Sequence, residues 1–390
     1  MNFNKREIFF LLIGFLYLLI GFVFDSNPTV KEISLFGAEQ VLDSKTPYKD
    51  FQTIYAPAVF YFNALISSIF SNSLLAIRIV YLFISFFISL LIYWLAKDYL
   101  DSQRAFIPFF ISIIWQSFIP MNASSVPLGM VLILISAVFL FKYYDGMQTQ
   151  NSKLTGIIPI GICIGLLGIT RQDMASYMYG LFFWAMFWAG MADVEGLGLN
   201  LWKRAVRGFL QGVFFTVIVL LTFAPFAIYF IFEAGLDNLY LQLIKTPLAT
   251  YKELHSIPFP NPFYFFHNFA TVEDFQIYLE KSWLGLIFFL PIITAISSAI
   301  TLFIKNRKKI IRANTPIFWK EILIINLSLN IFNYAVIRSD VEHLLPSMIF
   351  SSMLLPSIFA IIDKTKIRKT LLSFFVFLIV FLPLWKKISL

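Results

Sequence analysis

Long apolar runs separated by short polar turns fill this chain, a pattern that predicts helices crossing a bilayer. About 20 apolar residues span the hydrocarbon as a helix, with a range of about 17–25. On that rule spans fall near 8–24, 74–96, 105–119, 126–141, 155–170, 177–191, 208–232, 283–304, 319–337, 344–362 and 370–384. The apolar run 57–70 is too short to cross and is expected as an interfacial or re-entrant helix. There is no internal repeat and no low-complexity tract. Residues 1–390 therefore read as a single all-α, polytopic membrane domain of about 11 transmembrane helices.

Composition agrees. Of 390 residues, 59% are hydrophobic and 13% charged, with a mean hydropathy of +0.79; soluble domains carry about 25% charged residues. The 47 phenylalanines suit a lipid-facing surface with interfacial aromatic belts. The net charge of +8 comes without a basic stripe interleaved with aromatics, so nucleic acid is not an expected partner. One cysteine, Cys163, excludes an intramolecular disulfide and reads as a small core residue. The N-terminus (Lys5, Arg6, then apolar to Phe24) has the outline of a signal peptide. However, GFVFDSN lacks a small-residue cleavage pattern, so an uncleaved first span is expected.

Lysine and arginine in the loops set orientation. With the N-terminus cytoplasmic, the clusters Lys203/Arg204/Arg207, Lys305/Arg307/Lys308/Lys309/Arg312 and Lys364/Lys366/Arg368/Lys369 are all inside. About 19 of the 30 basic residues then fall inside. The pair Lys386/Lys387 is the exception. This topology sends four features to the outer face: the tract after Asp25 (first outer loop, about 25–73), the turn Thr170-Arg171-Gln172-Asp173, the turn Arg338-Ser339-Asp340-Val341-Glu342-His343, and the long connection of roughly 233–282. That connection holds Lys245, Lys252, His255, His267, Glu273 and Asp274, and its Pro- and aromatic-rich stretch Ile257 to Phe269 predicts an ordered cap on the membrane surface.

Asp25 closes the first span. A carboxylate at the hydrocarbon boundary is costly and tends to line a pathway or cavity; partial desolvation would make it a better base. Asp-Ser-Asn-Pro is equally good capping sequence for a helix starting near Pro28. After it come a short amphipathic helix, Ser-Lys-Thr-Pro-Tyr-Lys-Asp-Phe and Tyr-Ala-Pro. In these residues the chain resembles the first outer loop of GT-C superfamily glycosyltransferases that use polyprenyl-phosphate sugars, such as protein mannosyltransferases and aminoarabinose transferases. The resemblance covers residues 8 to about 95, and elsewhere only topology and short turns.

The resemblance implies that Asp25 is the catalytic base or an acceptor-orienting group, with Tyr55 in support. It implies a polyprenyl-phosphate monosaccharide donor and an extracytoplasmic acceptor hydroxyl on a glycan, lipid or protein. It also implies a bacterial cytoplasmic (inner) membrane location and inverting transfer. Many relatives carry a paired acid where this chain has Asp25-Ser26, which leaves no dedicated metal site, although a divalent cation (Mg or Mn) stays a candidate. Asp43 and Asp50 could supply a second acid or serve as turn and capping residues.

Arg171 and Asp173 flank the outer end of the fifth span. Two residues apart, they share no helix face, so an intrahelical ion pair is not expected. Arg171 offers a planar fork to a lipid phosphate or pairs with a neighbouring helix. Arg338, Asp340 and His343 form a further cluster. With a helix start near Ser339, Asp340 and His343 share a face, and the carboxylate orients an imidazole that, with Arg338, stabilises charge on a phosphate leaving group. A capping Asp beside an interfacial His is the plainer reading, and metal binding by His343, Asp340 and Glu342 lacks a full ligand set. Arg78, near the outer start of the second span, is one more phosphate candidate.

There is no Walker loop, dinucleotide fingerprint or nucleophile elbow. Rival readings are a polymerase or ligase of polyprenyl-diphosphate-linked glycans, or a transporter or flippase. Transporters commonly show repeated halves and charge near the midplane, which this sequence lacks.

Overall fold

A computed structural model describes residues 4–24, 32–71, 73–118, 123–148, 154–191, 200–251, 257–261, 272–308 and 315–359. Asp25, Lys252, His255 and His267 lie outside these residues, as does the eleventh predicted span.

The helices are α1 (Lys5–Phe24), α2 (Glu32–Leu42), α3 (Ala58–Ile69), α4 (Leu74–Lys97), α5 (Ser102–Phe118), α6 (Ser125–Gln148), α7 (Ile158–Thr170), α8 (Gln172–Met191) and α9 (Leu201–Ala234). They continue with α10 (Leu236–Tyr240), α11 (Val272–Arg307), α12 (Pro316–Ile337) and α13 (Val341–Phe359). Among the described residues there is no strand, only an isolated bridge between Pro47 and Phe51. The other ten predicted segments each carry a helix.

Among the described residues, six helical stretches are long and apolar enough to cross a membrane: Lys5–Val23, Leu74–Lys97, Ser125–Gly146, Leu201–Ala234, Leu284–Arg307 and Val341–Phe359. The helix α7 has only 13 residues, roughly 20 Å of rise. Expected as a re-entrant or interfacial piece, the 57–70 run is the 12-residue α3.

Three helix starts carry a side-chain cap. Ser73 accepts from Ala76 N, Asn200 from Lys203 N, and Thr315 from Phe318 N with Pro316 next in line. Close helix approach depends on glycine. A Cβ at Gly165 would stand 2.6 Å from Thr222 Cβ and 2.9 Å from Val219 O, and one at Gly190 would stand 2.3 Å from Gly208 Cα. Small residues at such crossings let backbones approach where apolar burial cannot drive association. The outward faces of α1 (Phe9, Leu12, Leu16, Ile20) and α9 (Leu220, Leu221, Phe232) are exposed and apolar, as lipid contact requires.

Charge clusters hold the two ends. At one, Lys97 Nζ meets Glu7 Oε1 at 2.6 Å, Lys320 Nζ bridges Asp98 (2.5 Å) and Asp145 (2.8 Å), and buried Lys305 pairs with Glu321 at 3.0 Å. The α7–α8 and α12–α13 turns, the end of α9 and the first loop gather at the other.

Candidate functional site

Two helix junctions at that second end are built alike. Arg171 leaves α7 in an extended conformation (φ −154°, ψ 93°), and Arg338 leaves α12 likewise (φ −139°, ψ 107°). An aspartate follows each arginine two positions on. Arg171 Nε donates to Asp173 Oδ1 at 2.8 Å and a terminal nitrogen donates to Oδ2 at 3.1 Å, while Arg338 Nε stands 2.8 Å from Asp340 Oδ2. The spacing excludes an intrahelical ion pair, and the pair that forms instead spans a helix junction. Arg171 belongs to no helix, so its side chain folds forward onto the first turn of α8, free of helical side-chain spacing.

Arg171 is nearly buried, and Ser125 Oγ accepts a further hydrogen bond from it at 3.1 Å. Burial works against its charge, but Asp173, with Tyr334 and Tyr55, outweighs it and the net shift is upward. Its guanidinium centre lies 4.9 Å from the Tyr334 ring centroid and 5.8 Å from that of Tyr55, within cation–π range.

Tyr334 stacks on His343 at 4.4 Å. Asp340 caps α13, accepting from His343 N at 2.8 Å, and its Oδ1 also meets His343 Nδ1 at 2.6 Å. The capping reading and the imidazole-orienting reading thus both hold for one carboxylate. Arg338 is the more open arginine, its side chain 36% exposed against 12% for Arg171.

The other expected outer features reach the same end. In the first loop, Gln172 binds the backbone at Ile54 and Ala56, and Gln242 binds it at Tyr48 and Thr53. Lys49 pairs with Glu233 at 2.9 Å, and this contact raises the lysine pKa. The long connection is helical at its start, running from α10 into π-helical turns at Leu241–Lys245 and Pro247–Tyr251. Its Ile257 O accepts from Ser339 N at 3.4 Å, and Phe259 packs on Phe288 and Phe332.

Arg78 meets the end of α1. It donates to Phe22 O at 3.4 Å and lies over the Phe22 ring, three residues before Asp25. Asp50 accepts from Thr46 N at 2.7 Å, a turn role. Sequence reasoning missed Tyr334, Gln172 as a clamp, and Gln242. The repeated Arg-x-Asp spacing at two span ends was a usable signal, whereas Tyr334 inside an apolar helix gave none.

Among the described residues no three His, Cys, Asp or Glu side chains gather to hold a metal. Asp340 already meets both His343 and Arg338. These residues do not fit a metal centre.

No family model matches the sequence, and no curated protein matches it. Solved structures do. An oligosaccharyltransferase from Archaeoglobus fulgidus in the apo form matches over 96% of this chain and 55% of its own, with a TM-score of 0.56 at 13% identity. The archaeal oligosaccharyltransferase AglB from the same organism, in complex with an inhibitory peptide and a dolichol-phosphate, matches over 97% of this chain and 55% of its own, with a TM-score of 0.55 at 13% identity. A complex of the Archaeoglobus fulgidus enzyme with Zn and sulfate gives 0.51 at 13% identity, covering 96% of this chain and 52% of that one. The chain spans about half the length of the solved structures it matches. The described residues share the helical fold of these oligosaccharyltransferases.

Proposed function

We propose that this chain is a membrane glycosyltransferase that moves a monosaccharide from a polyprenyl-phosphate donor to an acceptor hydroxyl on the extracytoplasmic face. The observation that carries the reading is the convergence of the two Arg-x-Asp turns, joined through Tyr334, at the end where the first loop docks. The GT-C fold supports it, and one of the similar structures holds a dolichol-phosphate.

Asp25 takes the acceptor proton as the hydroxyl oxygen attacks the anomeric carbon. The bond from that carbon to the phosphate oxygen breaks, and the phosphate leaves with the electron pair. Single displacement inverts the anomeric centre. Arg338, the more open guanidinium, meets the phosphate, and His343, oriented through Nδ1 by Asp340, acts as an imidazolium that donates its Nε2–H to the developing charge. Arg171, bound to Asp173 and Ser125, supports the site through Tyr334. Arg78 steadies the last turn of α1 ahead of Asp25.

Membranes containing the protein, given a labelled polyprenyl-phosphate monosaccharide, should transfer label to an endogenous acceptor. Asp25→Asn should lower turnover by about 10²–10⁴-fold, the usual worth of general-base assistance. Near-normal transfer by Asp25→Asn removes Asp25 from the mechanism, and no transfer by the native chain overturns the reading. A second reading, transfer of a whole lipid-linked glycan, draws on the oligosaccharyltransferases that share the fold. Label from a polyprenyl-diphosphate glycan, and not from the monosaccharide donor, would select it.

A further inference from the structure

One side chain joins the first loop to the Arg171 turn. Gln172 Nε2 donates to Ile54 O at 2.7 Å, and its Oε1 accepts from Ala56 N at 3.1 Å. The amide thus grips the backbone on both sides of Tyr55, whose ring faces the Arg171 guanidinium. The backbone of Tyr55 is satisfied locally: its N donates to Thr53 Oγ1 at 3.2 Å and its O accepts from Tyr48 OH at 2.8 Å. A second amide repeats the grip from the other side. Gln242 Oε1 accepts from Thr53 N and its Nε2 donates to Tyr48 O, each at 2.9 Å.

No helix runs through residues 48–56, so these two glutamines supply partners that secondary structure would otherwise provide. Tyr48 is held at φ +68°, which a bulky residue keeps only where its surroundings over-determine it.

We propose that Gln172 is a positioning residue for the transfer reaction. It touches no reacting atom, and it sets the register of Tyr55 and the first loop against Arg171. The consequence for turnover rests on the glycosyltransferase reading; the grip stands on the contacts alone. Methionine matches glutamine in length without either hydrogen bond, which separates packing from hydrogen bonding. Glutamate keeps an acceptor for Ala56 N and loses the donor to Ile54 O.

The test uses the full-length protein in nanodiscs, with amide exchange read across residues 48–57. In Gln172→Met, exchange at Ala56 should rise about tenfold, as loss of one part-buried hydrogen bond predicts, while Thr53 stays protected by Gln242. Gln242→Met should give the reverse pattern, and Gln172→Glu should keep Ala56 slow. With a polyprenyl-phosphate monosaccharide as donor, Gln172→Met should lower kcat about tenfold at unchanged KM, the mark of an effect confined to the reacting complex. Unchanged Ala56 exchange in Gln172→Met, or unchanged kcat with the amide freed, overturns the positioning role. Failure of the native protein to bind polyprenyl phosphate alone counts against the glycosyltransferase reading instead, and the exchange data still decide the grip.

Discussion

Tyr334 and His343 stack with ring centroids 4.4 Å apart and planes tilted by 33°. The same tyrosine ring lies 4.9 Å from the Arg171 guanidinium centre, so one aromatic side chain on α12 joins the two Arg-x-Asp turns. Neither turn is near the other in sequence. This ring touches the side chains of both turns.

Replacing that ring should therefore do more than open a cavity. Tyr334→Ala should cost about 3–5 kcal/mol, as large-to-small changes of buried aromatics do, and should lower transfer as well. Tyr334→Phe keeps the stack and the cation–π contact and should stay close to the native melting temperature. Thermal unfolding of both variants in one detergent checks the pair.

The Arg171–Asp173 bridge predicts an asymmetric response. Asp173→Ala leaves a nearly buried guanidinium without its carboxylate, at a cost of about 2–3 kcal/mol, less than the 3–5 of fully buried pairs because Asp173 is partly exposed. Arg171→Lys keeps the charge but loses the two-pronged contact. Its melting temperature should fall between those of the native protein and Asp173→Ala.

Asp340 gives a pH dependence. Burial pushes its pKa up, but the hydrogen bond and charge of His343 and the Arg338 guanidinium outweigh burial and hold it below the ordinary value of 3.8. A carboxyl depressed in the folded state contributes stability above its unfolded pKa, and loses it as pH falls through the folded pKa. The α12–α13 junction should thus hold above about pH 4 and weaken below it. Melting temperature measured from pH 6 to pH 3 should drop more steeply for the native chain than for Asp340→Asn.

Helix packing provides a prediction away from the site. A Cβ at Gly165 would meet Thr222 and the Val219 carbonyl, one of which is backbone and cannot turn aside. Gly165→Val should destabilise by about 1–3 kcal/mol through overpacking. The same substitution at Gly180, with nothing within 4 Å, should shift the melting temperature far less.

Much of the architecture was legible in the sequence. Apolar runs located the helices, because a helix in hydrocarbon must satisfy its own backbone and present apolar side chains. The two turns carrying Arg171 and Arg338 stood out as charge at helix ends, and Asp340 capping His343 followed from spacing of three. The pairing of Arg171 with Asp173 did not follow, since it depends on one residue leaving helical geometry. Gln172 and Gln242 looked like ordinary polar residues, because a side chain's value as a backbone partner depends on what loop is laid against it.

The sequence by itself determined that this protein is a stack of apolar helices with charged side chains gathered at the helix ends, because burial in lipid permits little else. Only the tertiary structure decided which of those ends meet. The partners are separated by more than a hundred residues, and their union rests on glycine-scale helix contacts, one shared aromatic ring and two amide grips that carry no local signature.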